Sequence, residues 1–282
     1  MESLQRTTVV TLVLATCLAS AAMAETKKEY RFNVGPNAVI TVDTQYGAIS
    51  ARPGSSSEVV VTATLYSDKA EVDNLRHGDR IDIESHLMPG ADQQTGRVDY
   101  EVLIPADATL NLHSSTGPLS AERLEGHLTL EGADAVVNIR DVRNGYVTVK
   151  TMGGPITLSD VRNGHVEINS ITGAVTLKSV TGPVVQAVSG SGKISYDGDF
   201  GSAGEYKLTT HTGDIEAIVP ADTSADFSAH SMLGKVQNDF PLQPRHSRFS
   251  VEAGRSFFGT VGKAASEVVL RSFSGRIRLK QR

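Results

Sequence analysis

From about residue 115 onward, apolar residues alternate with polar ones in short runs, and each run is opened by a glycine. Leu128-Thr129-Leu130, Val147-Thr148-Val149 and Val166-Glu167-Ile168 follow Gly126, Gly145 and Gly164. A second set interleaves with the first: Ser115-Thr116-Gly117-Pro118-Leu119, Ile171-Thr172-Gly173-Ala174-Val175-Thr176-Leu177, His211-Thr212-Gly213-Asp214-Ile215 and Phe273-Ser274-Gly275-Arg276-Ile277-Arg278-Leu279. A period of two turns one face inward and the other to water, the pattern of a half-buried strand.

The spacing predicts how these strands assemble. Gly126, Gly145, Gly164 and Gly182 are 19, 19 and 18 residues apart, and Gly154, Gly173, Gly192 and Gly213 are 19, 19 and 21 apart. Each unit of about nineteen residues therefore carries two short strands, each entered through a glycine turn. One unit cannot bury its own apolar face, so neighbours must stack. The expected fold is all-β: a parallel β-helix or β-solenoid with two strands per coil and an N-terminal β cap. Its turn glycines are Gly117, Gly126, Gly145, Gly154, Gly164, Gly173, Gly182, Gly192, Gly213 and Gly275.

Turn chemistry agrees. Asp141-Val142-Arg143-Asn144-Gly145 recurs letter for letter as Asp160-Val161-Arg162-Asn163-Gly164, and Asn-Gly tolerates the positive φ of a sharp corner. Val142, Val161 and Val180 are expected to point inward there. Leucine-rich repeats have similar periods but need several Leu and a helical return per unit. Here the apolar slots are mostly Val and Ile, and both half-units read as strands.

Residues 25–110 lack the period. Tyr30-Arg31-Phe32-Asn33-Val34, Ala38-Val39-Ile40-Thr41-Val42, Glu58-Val59-Val60-Val61-Thr62-Ala63, Arg80-Ile81-Asp82-Ile83 and Asp99-Tyr100-Glu101-Val102-Leu103-Ile104 read as strands between Gly/Pro/Ser turns. The organisation expected is a signal peptide at 1–24, a β cap at 25–110 and the solenoid at 111–282, with 25–282 equally readable as one continuous domain.

The sequence resembles the bacterial putative-adhesin β-strand-repeat domain family, formerly a domain of unknown function. The resemblance rests on Val102-Leu103-Ile104-Pro105-Ala106-Asp107-Ala108 leading into Leu110-Asn111-Leu112 and Ser115-Thr116-Gly117, then on the Thr-x-Gly repeats. It continues through Ile218-Val219-Pro220-Ala221-Asp222 and Ser272-Phe273-Ser274-Gly275-Arg276-Ile277. It implies a β-helix-like fold on exported or envelope proteins and brings no catalytic residues.

Composition narrows the function. Aromatics make up 5% of the chain and Trp is absent, so the interior must be aliphatic and sugar-stacking platforms are scarce. A net charge of −5 offers no basic stripe for nucleic acid. Near the start, Arg6, an apolar run at 9–18 and Ala22-Met23-Ala24 form an export signal with Glu25 as the mature N-terminus. That run is short of the ~20 residues of a membrane span, and no later segment is apolar enough to cross one. The single cysteine, Cys17, lies inside the signal. Its alternative reading is a lipid-anchored first residue, although Thr16 suits that motif poorly. Periplasmic or extracellular protein is the expected location.

No motif supplies catalysis. Ser189-Gly190-Ser191-Gly192-Lys193-Ile194 imitates a phosphate loop, but Ala187 and Ile194 stand where Gly and Ser/Thr belong. His127 and His165 occupy equivalent slots with Tyr146 between them and Pro183 next. Two coils separate the histidines by ~9.6 Å, too far to share a zinc at ~2.1 Å. A polysaccharide lyase or hydrolase would need clustered acids. The outward columns expected are Asn138, Thr157, Thr176, Ser195 and Thr129, Thr148, Glu167, Val185; neither stacks acids on adjacent coils. The Thr runs also match an ordered-water face, but Thr is common on any exposed strand face.

The reading is a non-catalytic exported cell-envelope protein with an adhesin-like binding or scaffolding surface. It needs no cofactor or metal, and its partner would be an envelope protein or polysaccharide. The alternatives are a polysaccharide-active β-helix enzyme and a self-assembling solenoid.

Overall fold

In the computed structural model, the described residues are 25–241, 243–244 and 254–282. The export signal and Cys17 fall at 1–24, outside them. The described residues contain strands and turns and no helix, so no helix is long and apolar enough to cross a membrane.

Among the described residues twenty-five strands follow in chain order. The first seven are β1 (Thr26–Asn33), β2 (Val39–Tyr46), β3 (Ile49–Pro53), β4 (Glu58–Leu65), β5 (Ala70–His77), β6 (Arg80–Leu87) and β7 (Val98–Ile104). The regular part holds β8 (Thr109–Thr116), β9 (Leu119–Glu122), β10 (His127–Asp134), β11 (Val137–Arg140), β12 (Tyr146–Thr151) and β13 (Ile156–Val161). It continues with β14 (His165–Ser170), β15 (Val175–Val180), β16 (Val184–Ser189), β17 (Ile194–Asp197), β18 (Glu205–Thr210) and β19 (Ile215–Val219). The last are β20 (Ala225–Ser231), β21 (Val236–Asn238), β22 (Gln243–Pro244), β23 (Ser256–Val261), β24 (Ser266–Ser272) and β25 (Ile277–Gln281).

Two sheets face each other, and each coil gives one strand to each. One sheet runs β1-β4-β7-β3-β9-β11-β13-β15-β17-β19-β25-β21. The other runs β22-β23-β20-β24-β18-β16-β14-β12-β10-β8-β2-β6-β5. The central neighbours are parallel and in register, for example Val147↔Val166 and Ile156↔Val175. The inward residues form columns of buried Val, Ile and Leu that join one core from Phe32 to Leu279. Val142, Val161 and Val180 are fully buried at their corner, each worth ~1.5–3 kcal/mol relative to exposure.

Chain order and stacking order part company at both ends. β2 and β3 already form a coil, seated between β6–β7 and β8–β9. At the other end β24 lies between β18 and β20, and β25 lies between β19 and β21. The connection into β24 is clasped by the Ser224 hydroxyl, which accepts from Lys263 N (2.9 Å) and Ala265 N (3.3 Å). Antiparallel strands close the stack: β1, β4 and β5 at one end, β22 and β23 at the other. The outermost β1 and β5 are mostly exposed and carry Lys27, Lys28, Glu29, Arg31, Glu71, Asp73 and Arg76, charges that oppose pairing with another chain.

The repeat corrects one expected register. His165 pairs with Val184 and Glu167 with Gln186, so Pro183 and Val185 do not continue those columns. The shorter Gly164–Gly182 step is absorbed in the turn, and Val185 points inward, fully buried. A one-residue slip would have turned it to water.

The corners explain the glycines. A Cβ on Gly117, Gly173, Gly192, Gly213 or Gly275 would lie 1.7–2.1 Å from the carbonyl oxygen of the glycine one coil below. Gly154 would meet Ala135 O at 2.2 Å. On the opposite corner Gly126 would meet Ala108 O at 2.0 Å, Gly182 would meet Gly164 O at 1.8 Å, and Gly145 and Gly164 are less crowded. Positive φ there falls instead on Asp141, Asn144, Asp160 and Asn163, at 52–56°, residue types that tolerate it.

A buried hydroxyl sits three residues before each glycine of the first corner. Ser170, Ser189, Thr210, Ser272 and Ser231 accept from the N–H of Gly173, Gly192, Gly213, Gly275 and Gly234 at 2.8–3.0 Å. Ser114, Ser189, Thr210, Ser272 and Ser231 also donate to the glycine carbonyl of the adjacent coil, at 2.7–3.3 Å. Each bond is worth ~1 kcal/mol net; the first set braces the turn itself, and the second ties one coil to the next.

One coil breaks the motif in both places at once. Gly132 replaces the hydroxyl and Ala135 replaces the glycine, and a Cβ on Gly132 would lie 2.5 Å from that of Ala135. Gly132→Ser alone should therefore lower the urea midpoint by the equivalent of ~1–3 kcal/mol. Adding Ala135→Gly should recover most of the loss; additive single effects in that double-mutant cycle would refute the compensation.

Candidate functional site

Side chains that the two sheets turn outward form columns one coil apart. On the face of β10, β12 and β14, His127, Tyr146 and His165 stack with ring centroids 4.6 and 5.0 Å apart. His165 Nε2 lies 3.1 Å from Glu167 Oε1. His127 and His165 flank the two faces of Tyr146, which stays 51% exposed. Among the described residues no group of three His, Cys, Asp or Glu side chains is placed to hold a metal ion.

The two long corners differ in chemistry. The corner entered from β11, β13 and β15 carries Arg123, Asp141, Arg143, Asp160 and Arg162 beside Glu122 and Arg140. Glu122 pairs with Arg123 at 2.8 Å and also with Arg140, and Arg143 lies 3.4 Å from Asp141. Asn163 donates to Asn144 at 2.7 Å. Asp141 and Asp160, equivalent positions of the repeated pentapeptide, thus sit half-buried among arginines at this turn.

The hydroxyl-and-glycine corner is apolar at its tips. The residue after the buried hydroxyl is polar in the first coils, Gln45 and Ser115, and then reads Met152, Ile171, Gly190, His211, Phe273 and Met232 in stacking order. Among the described residues, nine large hydrophobics are exposed, and six of them lie here: Val136, Met152, Ile171, Met232, Leu233 and Phe273. Their exposures run from 40% at Val136 and Phe273 to 61% at Leu233. His211 stacks on Phe273 at 4.7 Å. At ~4.8 Å per coil, the six steps from the Val136 coil to the Met232 coil make a row ~29 Å long. Shallow depressions flank it, one of about 410 Å³ beside Met152 and Ile171, another of about 430 Å³ beside Phe273 and Met232.

The turn glycines do not gather at a reactive centre; they line the two corners from coil to coil. The apolar row escapes a reading of the letters, because Met152, Ile171 and Phe273 flank strands and only the register shows that they project. Its one signal was position: each falls directly after a Ser or Thr of the repeat.

On the opposite face Glu216 bridges three coils. Lys193 and Lys280 each place Nζ 2.5 Å from its carboxylate. These two bonds, Lys193 first, pull its pKa down to about 2. Arg282 adds an ion pair to Asp197 and donates its N–H to Val219 O at 2.9 Å. The late coil of β24 and β25 is thereby fastened to sequence-distant β19 beside it and, one coil further, to β17.

A model of the Toastrack DUF4097 family matches residues 37–280. No curated protein matches the chain. A putative cell adhesion protein from Clostridium sporogenes ATCC 15579 aligns at 12% identity and TM-score 0.34, covering 91% of this chain and 100% of its own. A putative adhesin from Bacteroides fragilis NCTC 9343 aligns at 11% identity and TM-score 0.47, covering 91% and 98%.

The lysine clamp sets a pH dependence. A folded pKa below the ordinary carboxylate value stabilises the protein above ~4.5, and that stabilisation is lost as pH falls toward 2. Glu216→Gln should lower the melting temperature at neutral pH, and the gap to wild type should close as the pH drops through that window. A gap that stays constant with pH would assign the loss to something other than the charge.

Proposed function

This chain belongs to the Toastrack DUF4097 family, and on that premise we propose that it is an exported, non-catalytic envelope protein that binds its partner through the apolar corner. The observation that carries the reading is the concentration of exposed hydrophobics: six of nine on one corner of a solenoid whose other corner is charged. Scattered exposed apolar residues are ordinary; their gathering on one corner, at Val136, Met152 and Ile171 and again at Phe273, Met232 and Leu233, marks an interaction surface. Export is supported by the signal pattern in the first 24 residues. The fold supplies a rigid rod, so the row keeps its spacing without a partner present, which lowers the ordering cost of binding.

The non-catalytic reading draws support from the sites themselves. On the charged corner Glu122 and Asp141 pair with arginines, and the histidine pair is held apart by Tyr146. A purified protein that cleaved a polysaccharide would overturn it.

Binding is checked by fractionating cells that carry wild type or the Met152→Ser, Ile171→Ser double variant. Losing both apolar contacts should weaken envelope association by ~10- to 100-fold with the melting temperature unchanged. Equal retention of the two proteins in the envelope fraction would remove the corner from the interface.

A further inference from the structure

We propose that the partner of this corner is an anionic lipid surface, which the far half of the row engages by dipping its apolar tips between headgroups. The proposal rests on reading the corner as a binding surface and adds the chemistry of what it binds.

Shape is the first argument. The tips project from a convex edge, and in-register coils hold them in a straight row. A protein partner would have to offer a furrow matching that row. A bilayer needs no such fit, because its headgroups part around single side chains. Short apolar projections that enter the boundary between headgroup and acyl chain are the recurring means of peripheral attachment.

Charge is the second. The chain carries −5 overall, yet the far half of the corner is cationic. Arg271 precedes the buried Ser272 on one flank, and Arg276 and Lys235 follow Gly275 and Gly234 on the other; all three are exposed. Among the described residues one carboxylate, Asp214, stands with them, and its Oδ1 accepts the Arg276 backbone N–H at 2.7 Å. Lys193 on the same flank is occupied by Glu216. His211 and His230 are exposed beside the row. Phe273, Met232 and Leu233, 40–61% exposed, thus project between cations that form no ion pair with another of the described residues, the combination that anionic headgroups over an apolar interior would satisfy.

The test is flotation of the purified protein with vesicles of equal parts phosphatidylglycerol and phosphatidylethanolamine, against vesicles of phosphatidylcholine. The anionic vesicles should carry the protein and the neutral ones should carry about tenfold less or none, with binding lost at high salt. Arg271→Gln with Lys235→Gln should weaken binding about fivefold per cation. Leu233→Ser with Met232→Ser should abolish it at an unchanged melting temperature. Wild type that floats with neither vesicle, or charge variants that bind as well as wild type, would overturn the lipid proposal. If wild type ignores vesicles but still partitions to envelopes through Met152 and Ile171, the lipid proposal falls and the binding surface stands. If light scattering instead shows a dimer that Leu233→Ser dissociates, the corner joins two copies and the lipid proposal again falls.

Discussion

The structure depends on the distance between one coil and the next. Parallel backbone hydrogen bonds hold adjacent strands at ~4.8 Å, and two sheets must keep that spacing through every corner. At the corners the chain turns so tightly that the carbonyl of one coil occupies the space a Cβ of the next would need. Glycine is therefore a steric requirement of the spacing more than a source of flexibility. The buried hydroxyls serve the same spacing: Ser189, Thr210, Ser231 and Ser272 each take the N–H of their own turn and give a proton to the adjacent turn. Gly132 and Ala135 show that the requirement belongs to the pair of positions, since one may hold a Cβ when the other gives up its own.

That constraint explains what could be read from the letters. The glycine spacing and the alternation of Val147-Thr148-Val149 are local and repeat on every coil, so the two-stranded coil was legible. The inward Val142, Val161 and Val180 followed from it. The place of a coil in the stack was not legible. Ser274-Gly275 reads like any other copy of the motif, and nothing nearby says that β24 and β25 lie inside β20 and β21. β3 and β5 were also missed. β3 ends in Pro53 after a short alternation, and β5 buries only Ala70 and Val72. The shift from Val185 to Gln186 shows how a single missing residue in a turn defeats column counting.

The apolar corner was hidden for a related reason. Met152, Ile171 and Phe273 are hydrophobic residues next to strands, and next to a strand such residues are ordinarily core. Only the buried Thr151, Ser170 and Ser272 beside them reverse that expectation. With the hydroxyl turned inward to hold the coils, the following side chain has no direction left but outward. Structure and surface are coupled here: the same turn that locks the stack also presents the row.

The threading of the last coil bears on how the molecule can be made. A chain that emerges from a ribosome or a translocation channel does so N-terminus first, and β20 and β21 arrive before β24 and β25. The slot beside β18 and β19 must then stay open, or be filled wrongly, until the later pair is delivered. Assembly by simple addition of coil upon coil is thus impossible at this end. An incomplete chain would expose two bare strand edges where the finished one has a sealed interior, so the topology itself distinguishes a finished molecule from an interrupted one.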